Sequence, residues 1–200
     1  MSDAEPLENS EEQQIQSTDE SKVIESPQPE PLSYTMDGEE YVVVYNQTDF
    51  MIYSGFRELE ENSELIVIGH FIEDAVEKGN AFTNAFEITQ VLKGFTEDDV
   101  IRIYQRYTIN KSSKRIVAYS HLTPMEKGSE WICFLKYSDP EDVLYYYAGD
   151  TMGRYPFREI DQDKLMNGEY FSKDIGVYQA EDFHYDIYME LLKEYDIQFE

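Results

Sequence analysis

In ELIVIGHFI, residues 64–72, apolar side chains occupy both faces of an extended chain: Leu65, Val67 and Phe71 on one, Ile66, Ile68 and Ile72 on the other. A central strand covered on both sides, or one coiling through a barrel, buries both rows. Gly69 stands where such a strand can bend.

Five more strand-sized segments follow, separated by turn or charge clusters: TNAFEITQVLKG (83–94), DVIRIYQRYTI (99–109), KRIVAYSHL (114–122), SEWICFLKY (129–137) and VLYYYAGD (143–150). In the first, Phe86, Ile88 and Leu92 fall on one face and Glu87, Thr89 and Lys93 on the other. That period of two marks a half-exposed strand. In the second, Ile101, Ile103, Tyr107 and Ile109 oppose Arg102, Tyr104 and Arg106. Lys93-Gly94 ends one and Glu97-Asp98-Asp99 opens the other, which predicts antiparallel neighbours. Trp131 is the largest apolar side chain available to anchor a core. A DPED turn at 139–142 leads into LYYYAGDTMGRYPF, whose glycines predict a tight return beneath the closing strand. Residues 159–176 read as polar and irregular.

Before this ladder, Tyr41–Tyr45 predicts a first strand or an edge strand laid on the barrel. FMIYSGFRELEENSE (50–64) predicts a short helix with Phe56 and Leu59 inward. After it, a helix over 181–195 carries Phe183, Ile187, Leu191 and Tyr195 at four-residue steps, with Tyr188 and Leu192 widening the stripe. Glu181 and Asp182 suit its positive end. The fold class is mainly β (α+β).

Two hundred residues, 41% of them hydrophobic, suit one domain, placed over 39–200. Residues 1–38 hold four of the seven prolines, ten of the 42 acids and one of the 16 bases. Too little apolar area is present there to offset ordering entropy, so a disordered acidic tether is expected. The remainder still sets 32 acids against 15 bases. Such a field repels phosphate backbones and anionic lipid, which argues against nucleic acid and membrane surfaces as partners. The acidity serves solubility in the plain reading and attraction to a basic partner in the sharper one. No apolar run spans a bilayer, and the first 30 residues lack the charged start and apolar core of a signal peptide.

The order of elements at ELIVIGHF, FEITQVLKG and MEKGSEWICFL resembles a family of small extracytoplasmic domains of Gram-positive bacteria, often lipoproteins. Their OB-like barrel is related to the tissue-inhibitor-of-metalloproteinase and netrin modules. The resemblance covers about residues 50–157. It implies an OB-like antiparallel barrel of five to six strands, a short helix before it and the amphipathic helix after it. It also implies export in a lipid-anchored or secreted form, with 1–38 as the spacer. No lipobox or N-terminal cysteine occurs in the chain, so the implied anchor would lie upstream of residue 1. The inhibitor modules' N-terminal cysteine and disulfides are missing too, so inhibition by metal chelation does not carry over.

Candidate chemistry is sparse. Cys133 is the only cysteine, which excludes an internal disulfide and a four-thiolate zinc site; between Ile132 and Phe134 it reads as a small packing residue. His70, His121 and His184 share no ligand spacing, although His70 and His121 could meet across strands. DQDKLMNGEYF (161–171) superficially matches a calcium loop, but Met166 replaces the required glycine and Ser172 the bidentate glutamate. A weaker site at Asp161, Asp163 or the DPED turn stays open. No nucleophile elbow, phosphate loop or dinucleotide fingerprint occurs. No catalytic residue, metal or cofactor is therefore assigned.

Seventeen tyrosines have two readings. Strand propensity and cross-strand packing explain them without function. Alternatively Tyr104, Tyr107, Tyr145, Tyr146 and Tyr147 form an aromatic recognition face for a protein or glycan. In the triplet 145–147 both faces receive a ring, so at least one points outward. The function expected is a non-enzymatic, monomeric, extracytoplasmic binding domain tethered at the cell surface, with a protein or surface polymer as partner. The alternative is a cytoplasmic acidic antidote covering a basic toxin or nuclease.

Overall fold

The structure, a computed structural model, describes residues 32–36, 38–46, 52–78, 81–119, 121–139 and 144–199. Residues 1–31 and 37 of the tether expected over 1–38, and most of the DPED turn, lie outside these residues. The strands are β1 (Ser33–Met36), β2 (Glu39–Asn46), β3 (Leu65–Phe71), β4 (Val76–Lys78), β5 (Ala81–Lys93), β6 (Val100–Gln105), β7 (Tyr107–Asn110), β8 (Arg115–Tyr119), β9 (Glu130–Asp139), β10 (Leu144–Tyr147) and β11 (Arg154–Pro156). The helices are α1 (Phe56–Glu61), α2 (Gln162–Met166), α3 (Ser172–Ile175) and α4 (Tyr185–Glu194).

β3, β5, β6, β10 and β9 close into a five-stranded ring, with β4 and β11 paired outside it on β5 and β9. The fourth and fifth ring strands to appear in the chain exchange places around the ring, which makes it OB-like. One seam departs from the expected antiparallel barrel: β10 runs parallel to β6, Leu144 beside Arg102 and Tyr145 beside Ile103. Strands that alternate in direction cannot close an odd-numbered ring without one parallel pair.

β3 lies between β5 and β9 and is buried from Leu65 to Gly69, as its two apolar faces predict. Its register with β5 slips twice, between Ile66 and Val67 and between Ile68 and Gly69. These bulges bend the long β5 around the barrel. A Cβ on Gly69 would stand 2.1 Å from the Glu87 carbonyl oxygen, so only glycine allows this approach.

A second sheet, ordered β1-β2-β8-β7, has its own core of Tyr34, Met36, Tyr41, Val43, Tyr107, Ile116 and Ala118, with Ala75 and Phe82. Three expectations are corrected here. Ser33–Met36 is a strand inside the span read as tether, because Tyr34 and Met36 alternate inward and are buried. The 41–45 strand pairs with β8, not with the barrel. The strand read over 99–109 breaks at Arg106 and passes from one sheet to the other. Ile101, Ile103, Gln105 and Tyr107 keep inward parity across the break, so alternation does not reveal the change of sheet.

Phe56 and Leu59 of α1 are buried as predicted. α4 starts later than expected, at Tyr185: Glu181 and Asp182 sit in a preceding 3₁₀ turn, where the Asp182 carboxylate accepts from Gln179 N at 3.1 Å. Its buried face is Ile187, Tyr188 and Leu191; covering Ile187 and Leu191 contributes about 1.5–3 kcal/mol each before ordering entropy is subtracted. The stretch read as irregular over 159–176 holds α2 and α3, each burying one apolar residue, Leu165 and Ile175. Among the described residues no helix is long and apolar enough to cross a membrane.

Candidate functional site

On the outer face of the parallel seam, Tyr104, Arg106, Ser138, Tyr146, Tyr147, Ala148 and Asp150 line a groove of about 490 Å³. Its position follows from strand parity. Tyr145 and Tyr147 turn inward and are buried, so Tyr146 between them turns out and is 39% exposed. On β6 the inward pair Ile101 and Ile103 leaves Tyr104 facing out. Both outward rings lie just beyond the paired positions of the seam.

At one end Arg106 forms an ion pair with Asp150, whose carboxylate is almost wholly covered. Asp150 opens a short 3₁₀ turn, Asp150–Met152, that carries the chain from β10 to β11. Arg106 occupies the break between β6 and β7. The groove thus offers two phenol rings, a serine hydroxyl and a closed pair of opposite charges. Such a surface can stack against a ring or apolar face and exchange hydrogen bonds at its rim.

Of the five tyrosines singled out in the sequence, the groove brings together Tyr104, Tyr146 and Tyr147. Tyr104 is half-buried, and Tyr147 forms an inner wall with its hydroxyl buried. Burial pushes the Tyr147 phenol up to about 12, against the nearby Arg154 charge, which pulls it down. Tyr107 is elsewhere, stacked on Phe82 at 5.7 Å in the second core. Tyr145 packs inside on Tyr137 at 4.4 Å. For these two, packing accounts for the ring, and neither presents it outward. Arg106 was legible in the sequence as sharing a face with Tyr104. Ser138 and Asp150 carried no signal, because their meeting depends on how β9 and β10 return to the seam.

The histidines are separately engaged. His70 Nε2 lies 3.1 Å from Glu87, His121 Nδ1 lies 2.8 Å from Asp182, and His184 Nε2 lies 3.3 Å from Thr151 Oγ1. Burial lowers the pKa of His184, with the Asp182 charge opposing it. Asp161 caps α2, accepting from Lys164 N at 3.0 Å. Cys133 is buried in β9, and desolvation pushes its thiol far up. Among the described residues no three His, Cys, Asp or Glu side chains gather as metal ligands would. No protein-family model, curated protein or solved structure matches this chain.

Proposed function

We propose that this protein is a non-enzymatic binding domain of the extracytoplasmic, cell-surface type. Its groove over the parallel seam engages a segment of a partner protein or surface polymer. The observation that carries this reading is the pair of outward rings, Tyr104 and Tyr146, beside the Arg106–Asp150 ion pair in one groove. OB-like barrels commonly bind through an outer sheet face and the adjoining loops. Exposed tyrosines supply contact area at low entropic cost. The strand order of the barrel agrees with the resemblance drawn from the sequence, and that resemblance supports the extracytoplasmic location.

The test is direct. Immobilised wild-type protein is exposed to solubilised surface proteins and polymers of the source cell, beside a Tyr104→Ala/Tyr146→Ala variant shown by circular dichroism to be folded. Capture of one species by the wild type and its loss in the variant is the expected result. Equal capture by both proteins would overturn the groove as the site. Fractionation of source cells tests location separately, and recovery from the cytosol alone would overturn the extracytoplasmic reading.

A further inference from the structure

Away from the groove, Arg154 of β11 is only 1% exposed. Its Nη2 donates to the Thr123 carbonyl at 2.6 Å and the Gly176 carbonyl at 2.5 Å, with Thr123 Oγ1 at 3.4 Å. The guanidinium lies over the rings of Trp131 and Tyr147, at 5.6 and 5.4 Å. These contacts satisfy one nitrogen. Nε and Nη1 are buried without a hydrogen-bond partner, and no carboxylate among the described residues pairs with the charge. A buried charge left uncompensated is strongly destabilising.

The second sheet brings a matching row. Tyr45 on β2 and Tyr107 on β7 both pair with Ala118 on β8, so two phenols flank the smallest side chain of that row. The hydroxyls of Tyr45 and Tyr107 are buried and, like Nε and Nη1, without a hydrogen-bond partner, and the buried Tyr147 hydroxyl faces Arg154 and Gln105. The Arg154 charge reaches all three. These groups come from both sheets, between the two apolar cores.

Among the described residues no carboxylate pairs with Arg154, and the charge of Asp74 reaches only as far as Tyr107. Cys133 pairs in register with Arg154, yet burial holds its thiol neutral. Burial likewise keeps the three phenols protonated at neutral pH. Asp182, whose charge also reaches Tyr45, is engaged by His121 at 2.8 Å. Guanidinium N–H groups only donate, and each phenol can turn its hydrogen inward. Water would accept these bonds without neutralising the charge.

We propose that the seam between the two sheets binds a small monovalent anion of halide size, held by Arg154 Nε and Nη1 and by the hydroxyls of Tyr45, Tyr107 and Tyr147. The anion couples the sheets and makes the stability of the fold depend on its concentration.

Two measurements with sodium bromide test this. In crystals grown with bromide, an anomalous peak at hydrogen-bonding distance from Arg154 Nη1 is expected; water density there without anomalous signal would overturn the proposal. In solution, bromide replaces bulky gluconate at constant ionic strength while urea unfolding is followed. The wild-type midpoint should rise with bromide. Tyr107→Phe, which removes one hydroxyl and keeps the ring, should need about tenfold more bromide for the same rise. Identical bromide responses of the two proteins, or none in the wild type, would reject the site.

Discussion

Arg57 on α1 holds Glu194 on α4 through both terminal nitrogens, Nη2 at 2.9 Å and Nη1 at 3.3 Å from the two carboxylate oxygens. The pair ties the helix before the barrel to the helix after it, but the arginine side chain is largely in water. Solvent screening and side-chain entropy cancel most of the gain from such a pair.

Arg57→Ala should therefore leave the urea midpoint almost unchanged, whereas Leu191→Ala, on the same helix as Glu194 and fully buried, should cost about 2–5 kcal/mol. Equilibrium unfolding of both variants checks this. Similar losses in the two would mean that the ion pair, not the apolar face, anchors α4.

Gly69→Ala should be among the most damaging single-atom additions in the chain. Its Cβ would meet the Glu87 carbonyl at 2.1 Å and a Phe86 ring carbon at 2.7 Å. Overpacking of this kind costs about 1–3 kcal/mol or more, because backbone cannot step aside as a flexible side chain can. Gly128→Ala meets no atom within 4 Å and pays only for its φ of +83°, about 1–2 kcal/mol. Denaturation should rank Gly69→Ala below Gly128→Ala in stability.

His184 predicts an acid-side slope. Burial depresses its folded pKa below the ordinary 6.5, so below that pH the unfolded chain takes up a proton that the folded chain refuses. Stability from this group is complete above the unfolded value and falls with pH until the lower folded value is passed. His184→Gln should flatten the fall just below 6.5 in a pH series of urea melts. A wild-type slope surviving unchanged would assign it to the carboxylates.

At the alkaline end the sign reverses. Tyr34, Tyr107, Tyr147, Tyr155 and Tyr188 are held above the ordinary phenol value of 10 by desolvation. Their contribution is intact below 10 and is lost as pH rises through the folded values. Absorbance titration should show only part of the seventeen tyrosines ionising near 10, with the rest appearing together on unfolding.

The sequence revealed elements that carry a period. Phe56 and Leu59, the double apolar face of 65–71 and the Ile187–Leu191 stripe each repeat often enough to be read. Of the pairings, the antiparallel neighbours β5 and β6 were legible from the turn between them, and the others were not. Parity continues unbroken from Gln105 to Tyr107 while the chain changes sheets, and α2 and α3 each bury a single apolar side chain, too few to show a helical repeat. The tyrosines divide on the same ground. Alternation shows that Tyr146 opposes Tyr145 and Tyr147; which side is the lumen depends on how the ring closes.

Among the described residues the parallel seam is also the thinnest stitch of that ring. There β10 meets β6 at Leu144–Arg102 and Tyr145–Ile103, whereas β5 follows β6 from Phe82 to Glu87. Parallel pairing is slightly less stable per residue, and local opening concentrates where protection is least. Breathing of the barrel should therefore start at Leu144 and Tyr145, and amide exchange there should outpace that of β3. Anything that spans Tyr104 and Tyr146 bridges this weak stitch, so occupancy of the groove slows the opening of the whole barrel.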